Sequence, residues 1–310
     1  MESLKLSFEA IMPIFLLMLL GYFLKWKNVV GKSCFDAMNR LVFKVFLPVL
    51  LFYNIYQTEL EQDFDWKLIA IAAAGILGIF LIGSLIVPLL TKDNARRGVM
   101  LQGLFRSNYA ILGLPLVNYI CGSTAVASAM VAVVIPMFNI LAVVSLERYR
   151  GGNVNLKKLL KGVVTNPLII GCAVGALFLA LDIQMPAFLE KAVSDVSKIA
   201  SPIAMIVLGA SFTFSSVKGC MKELLITVSA RLVLVPLVML TLAVALGFRS
   251  EALACLLIVF GAPTAVASFS MAQQMGGDET LAAQVVVISS AACLLTLFIW
   301  IFLLSHLRLF

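Results

Sequence analysis

Apolar residues in this chain come in blocks of about twenty, one after another along its whole length. A bilayer's hydrocarbon core is about 30 Å thick, and an α-helix needs roughly 20 apolar residues to cross it. The blocks fall near residues 8–24, 38–56, 66–90, 96–121, 124–147, 162–181, 190–214, 222–247, 251–275 and 279–304. In lipid every backbone polar group must find a partner within the protein, which restricts such blocks to helices. The pattern predicts an all-α transmembrane fold of ten spans. Composition agrees, because 62% of the 310 residues are apolar and 13% are charged, against about 45–50% and about 25% in a soluble domain. The first block is too long for a signal peptide core and lacks a small-residue cleavage site, so it is expected to stay in the protein.

The six cysteines (Cys34, Cys121, Cys172, Cys220, Cys255, Cys293) are scattered singly, without the C-x-x-C spacing of metal or redox sites. They read as packing residues, and no metal or cofactor is expected. The net charge of +7 has only loops to sit in, which makes it a signal of membrane orientation rather than of nucleic acid.

Sorted by alternate loops, Lys25, Lys27, Lys32, Arg40, Lys92, Arg96, Arg97, Arg148, Arg150, Lys157, Lys158, Lys161, Lys218 and Lys222 share one side. The other holds Lys5, Lys67, Lys191, Arg249 and Arg308, with the acidic loop Glu59, Glu61, Asp63 and Asp65. The positive-inside rule makes the first side cytoplasmic and puts both termini outside. Five spans then lie in each half, so a repeat between the halves would be inverted.

Prolines and glycines suggest that repeat. Pro13 and Pro167 are 154 residues apart, as are Gly21 and Gly175, Lys44 and Lys198, and Pro48 and Pro202. Gly122 and Gly277 differ by 155, and Thr124 and Thr280 by 156. Carried into span four, the offset sets Ser107-Asn108 opposite Pro263-Thr264. A rival register pairs Gly113-Leu-Pro115 with Gly261-Ala-Pro263 at a shift of 148, and it breaks the offset of the flanking spans. The expected division is residues 1–150 and 162–310 as two inverted five-helix repeats, joined by a cytoplasmic linker at 151–161.

Pro263 has no amide hydrogen, and its ring clashes with the carbonyl of Val259, so span nine must open there. Ser107 and Asn108 do not force a break, but their side chains can bond the groups a break frees. Both places lie roughly 17 Å into their spans at 1.5 Å per residue, near the midplane. Interrupted helices at matched depth in inverted halves mark a transporter's binding site. The plainer alternative is two unrelated kinks with no ligand.

At these residues the chain resembles the auxin efflux carrier family, which includes bacterial malate-type permeases and the plant PIN carriers. The stretches that carry the resemblance are Leu104-Phe-Arg-Ser-Asn108-Tyr-Ala-Ile-Leu-Gly113-Leu-Pro115-Leu and Ala262-Pro263-Thr-Ala-Val-Ala-Ser-Phe-Ser-Met-Ala-Gln-Gln-Met-Gly276-Gly277-Asp278. The resemblance implies a scaffold of spans one, two, six and seven and a mobile unit of the other six. It also implies broken crossover helices at spans four and nine, elevator-like movement, a homodimer, and a place in the bacterial cytoplasmic membrane. Arg106-Ser107 departs from the family pattern, where an apolar residue and proline commonly precede the Asn.

The 16 acidic residues fall in loops or near span ends, which leaves no carboxylate for a proton relay at the midplane. Four basic residues fall within spans: Lys44, Arg106, Lys198 and Arg231. Lys44 and Lys198 are near enough to an interface to snorkel. Arg106 is deeper, and a buried Arg costs at least ~2.5 kcal/mol without a partner. A substrate carboxylate is a natural partner. The second halves of spans four and nine also point N-termini at the centre, each carrying about half a positive charge. The candidate binding set is Arg106, Ser107, Asn108, Tyr109, Asn139, Pro263, Thr264, Ser268, Gln273 and Gln284. For any single neutral member, bonding between helices is as good an explanation as ligand contact.

Gly31-Lys32-Ser33 lacks the earlier glycine of a phosphate loop, because Trp26 stands there. Gly171-x-x-x-Gly175 allows close helix packing, within the scaffold or between copies. An enzyme is disfavoured: intramembrane hydrolysis needs a carboxylate pair, a Ser–His or Ser–Lys set, or a metal cluster, and the one histidine is His306. The expected function is a carrier of small organic anions, with the lipid bilayer as its other partner. The alternative is a sodium-coupled symporter of the bile-acid type.

Overall fold

The computed structural model describes residues 2–58, 65–122, 125–150 and 156–310. Glu59, Glu61 and Asp63 of the acidic loop, Thr124, and linker positions 151–155 lie outside the described residues. Within them every regular element is helical, apart from one isolated bridge between Ser107 and Thr264. The helices are α1 (Glu2–Trp26), α2 (Lys32–Leu41), α3 (Leu47–Tyr56), α4 (Trp66–Leu90), α5 (Asn94–Phe105), α6 (Tyr109–Cys121), α7 (Ala125–Tyr149) and α8 (Leu156–Val164), followed by α9 (Pro167–Ala180), α10 (Ala187–Ser211), α11 (Met221–Ser229), α12 (Val235–Ala245), α13 (Ser250–Gly261), α14 (Ala267–Met275) and α15 (Glu279–His306).

Five helical stretches among the described residues are long and apolar enough to cross a membrane unaided: Trp66–Leu90, Val126–Tyr149, Ala187–Ser211, Ser216–Ala245 and Glu279–His306. Their outer faces suit lipid. Leu81, Leu85 and Leu89 stack along α4 and are 53%, 74% and 84% exposed, a stripe that a water-soluble surface would not tolerate.

Proline explains two local departures from the α-helix. A π-turn at Val42–Phe46 joins α2 to α3, and a second at Ala230–Leu234 joins α11 to α12. Each precedes a proline, Pro48 and Pro236, which has no N–H for the carbonyl four residues back. The carbonyl left over at Leu232 accepts from Trp300 Nε1 at 3.1 Å. By contrast, α10 runs unbroken over Pro202.

The expected span at 162–181 is two helices. The turn ends at Asn166, whose side chain caps α9 by accepting from the Leu168 amide at 3.0 Å, and Pro167 takes the first helical position. The basic end of the linker is itself helical in α8, where Leu156, Leu159, Leu160 and Val163 fall at helical spacing.

Glycines set the closest helix contacts. A methyl at Gly21 on α1 would fall on the carbonyl oxygen of Ile206 on α10, and one at Gly209 on α10 would fall on that of Met18 on α1. Gly171 and Gly175 of α9 face α3, where a methyl would meet Pro48 O at 2.5 Å and Phe52 O at 2.8 Å. The G-x-x-x-G pair therefore packs inside this chain. Gly122 (φ 71°) at the end of α6 and Gly276 (φ 78°) at the end of α14 are both left-handed C-caps, and they stand 154 residues apart.

A second group of helices is tied by polar contacts. Arg96 on α5 pairs with Glu223 on α11 at 3.1 Å and with Asp278, the N-cap of α15, at 3.1 Å. Such a network fixes α5, α11 and α15 to one another at one end.

Candidate functional site

Both interruptions expected from the sequence are present, and they cross. Helix α5 stops at Phe105 and α6 starts at Tyr109, while α13 stops at Gly261 and α14 starts at Ala267. The extended segments between them pair antiparallel through Ser107 and Thr264, and the Asn108 amide donates to Pro263 O at 2.9 Å. A broken helix leaves backbone carbonyls that must be satisfied in a membrane interior. Ser107 Oγ donates to Ile258 O of α13 at 2.8 Å, and Thr264 Oγ1 donates to Gly103 O of α5 at 3.3 Å. Each half's hydroxyl thus caps the other half's helix.

Arg231 takes most of the remaining carbonyls. Its Nε donates to Ala262 O at 2.9 Å and its Nη2 to Val259 O at 2.9 Å, while Nη1 reaches Phe105 O at 3.1 Å and Leu104 O at 3.4 Å. The side chain is fully buried. Sequence reading placed Arg231 in a span without a role. Its partners are over a hundred residues away on α5 and about thirty away on α13, so no local pattern announces them.

Arg106 behaves differently. It follows the last residue of α5, is 3% exposed, and donates through Nη2 to Asn139 Oδ1 of α7 at 2.7 Å. Its Nη1 lies against Met271 Sδ. No ion pair among the described residues includes it. Asn139 is held in place by its own donation to Ile135 O at 2.8 Å.

Arg106 opens on a cavity lined by Ser107, Asn108 and Asn139, by Asn54 of α3 and Ser201 of α10, and by Ala265, Val266 and Ala267 at the start of α14. Its volume is about 60 Å³, where roughly 10–15 Å³ holds one water. Apolar walls from Leu47, Leu50, Leu51, Phe138 and Leu168 enclose it. The positive ends of α6 and α14 begin at this cavity. Asn108 is the N-cap of α6, yet its side chain makes no capping bond and its buried Nδ2 has no partner. An idle donor in a mainly apolar cavity, beside a guanidinium with no carboxylate partner among the described residues, suits an anion.

Of the ten expected residues, Arg106, Ser107, Asn108 and Asn139 line this cavity, with Pro263 and Thr264 in the crossing strand behind it. The other four sit elsewhere, because the face a helical residue presents depends on a rotation that the sequence does not fix. Tyr109 is turned to α7, its hydroxyl donating to Ala127 O at 3.2 Å. Ser268 is buried, with its carbonyl accepting from Gln102 Nε2 at 3.1 Å. Gln284 donates to Thr213 O at 2.8 Å. Gln273 lines a second cavity with Lys25, Lys32 and Asp36, and its Nε2 donates to Glu279 Oε2 at 2.7 Å. Asn54 and Ser201 were not anticipated; Asn54 is the one amide in the apolar α3, whereas Ser201 is one of several polar residues on α10 and nothing in the sequence sets it apart.

The sequence profile of the family described as membrane transport protein matches the chain in two segments, residues 6–157 and 153–301. The chain belongs to that family, the auxin efflux carriers. This auxin efflux carrier family member is a multi-pass membrane transporter and not an enzyme. Its relatives have the same extent. An uncharacterized transporter of Methanothermobacter thermautotrophicus is 24% identical over 303 residues, covering 95% of this chain and 97% of its own. The uncharacterized transporter YfdV of Escherichia coli K12 is 22% identical over 307 residues, covering 94% and 96%. The uncharacterized transporter MJ1031 of Methanocaldococcus jannaschii is 21% identical over 301 residues, covering 94% and 97%.

Proposed function

We propose that this transporter carries small organic anions, carboxylates above all, and that the anion sits in the cavity between Arg106, Asn108 and Asn139. One observation carries the reading: a buried guanidinium with no carboxylate partner faces a cavity at which two helices begin.

An elevator arrangement accounts for the cavity's walls. Helices α1, α3, α9 and α10 are locked by backbone contact at glycines, and α5, α11, α13 and α15 are locked by Arg96 and Arg231. The first group supplies Leu51, Asn54 and Ser201 to the cavity, and the second supplies Arg106 to Asn108. Sliding one group past the other would carry a bound anion across. We read the chain as ten spans in two inverted repeats, with the reciprocal Ser107 and Thr264 caps as their pseudo-twofold relation, and as a homodimer of the bacterial cytoplasmic membrane.

Asn108→Ala is expected to weaken anion uptake by the loss of one neutral donor to a carboxylate, about 1.5 kcal/mol, the low end for a bond to a charged group. Lys44→Gln is expected to change nothing, because Lys44 is exposed on the outer face of its helix and reaches the interface. Counterflow of labelled carboxylates in proteoliposomes measures both. Wild-type protein that moves no carboxylate would end the reading. With both termini outside, a cysteine placed between Arg148 and Lys161 is expected to react only with reagents that reach the cytoplasm; labelling from outside would invert the topology.

A further inference from the structure

Two helices end at the crossover just as two begin there. Helices α5 and α13 both terminate at the crossing, and each C-terminus carries about half a negative charge. Their carbonyls at Leu104, Phe105, Val259 and Ala262 converge on one point in the membrane interior, and the point is filled by the Arg231 guanidinium. In sodium-coupled carriers, carbonyls of unwound segments and half-helix C-termini are the groups that hold the coupling ion.

We propose that Arg231 is this carrier's built-in crossover cation: its guanidinium occupies the carbonyl cluster that a sodium ion would otherwise take, so anion transport proceeds without sodium. The proposal rests on the anion-carrier reading and specifies its coupling. Charge supports it, since one fixed positive charge balances the two half-charges of the helix ends. Geometry supports it too, because a guanidinium directs five donors in a plane and four carbonyls here receive them. Among the described residues no carboxylate pairs with Arg231, so the charge is spent wholly on the helix ends. Arg231 is a positioning residue: it holds α5 against α13 and does not line the anion cavity. A thermally mobile cation would have to be bound and released in each cycle, whereas this one travels with its helices.

The test uses the full-length protein. Wild-type uptake of a carboxylate is expected to be equal in sodium, potassium and choline media, against the roughly 5–150-fold changes that a coupled ion brings. Arg231→Ala is expected to lose uptake about tenfold or more, the cost of vacating charge-assisted bonds. Low concentrations of guanidinium ion should restore part of that uptake and raise the melting temperature of Arg231→Ala, not of wild type. Sodium-dependent uptake by wild type overturns the proposal and leaves the carrier reading standing. Full uptake by Arg231→Ala, with no response to guanidinium, also overturns it. If wild type moves no carboxylate the carrier reading falls, while the melting series, read without substrate, still decides the role of Arg231. Should Arg231→Ala not fold, Arg231→Lys is expected to fold and stay sodium-independent, and sodium dependence there counts against the proposal.

Discussion

One added methyl at Gly209 or at Gly21 is expected to collapse the scaffold. Overpacking costs about 1–3 kcal/mol where neighbouring side chains can yield. Here the neighbour is backbone: the new carbon at Gly209 would land on Met18 O and that at Gly21 on Ile206 O. Helices α1 and α10 would have to part along their contact, which exposes Met18, Ala204 and Leu208, all buried now. The loss should therefore exceed that range. Gly209→Ala and Gly21→Ala are expected to melt well below wild type, or to be lost on purification. Gly78→Ala is the control, because a methyl there meets nothing within 4 Å and alanine favours the helix by about 1 kcal/mol. Melting curves of the three variants that coincide would show that the α1–α10 contact is looser than described.

Arg106→Gln is expected to have the largest effect on transport of any change in the cavity. A hydrogen bond to a charged group contributes about 1.5–3 kcal/mol, which is about tenfold to a hundredfold in affinity. Glutamine keeps the reach toward Asn139 and removes the charge. The variant should fold as wild type does, since the carbonyls of the crossover are capped by Arg231, Ser107 and Thr264 rather than by Arg106. Uptake of a carboxylate should show a raised KM, while a neutral substrate analogue should be unaffected. An unchanged KM would make Arg106 a packing residue of α5 and α7.

How much of this was legible depended on how local each cause is. Apolar blocks betray helices because length alone decides whether a segment spans a bilayer. The break at Pro263 was legible because a missing N–H acts wherever the helix lies. The break before Asn108 followed from matching depth, and its partner segment followed from the offset. Pro48 and Pro236 gave no such guidance, for whether a helix bends, bulges or continues depends on what receives the freed carbonyl. Trp300 does so for Leu232, whereas α10 continues past Pro202. Asn166-Pro167 is a legible helix start, yet the apolar run through Val163 and Val164 masked it. Gln273 and Gln284 do not line the crossover cavity, because helix rotation, which composition does not fix, turns them to other partners. Arg231 was visible as an expensive intramembrane charge, but its function lies in carbonyls that only the folded crossover assembles.

The central claim is that the crossover cavity holds a small carboxylate through its charge. The most direct test is the melting temperature of purified wild-type protein titrated with a carboxylate and, separately, with its neutral amide, repeated on Arg106→Gln. A ligand at 100 times its Kd stabilises by about 2.7 kcal/mol, a shift readily measured. The account predicts stabilisation of wild type by the carboxylate, none by the amide, and none in Arg106→Gln until about tenfold or more ligand is added. Equal stabilisation of wild type and Arg106→Gln, or of wild type by acid and amide alike, would contradict it.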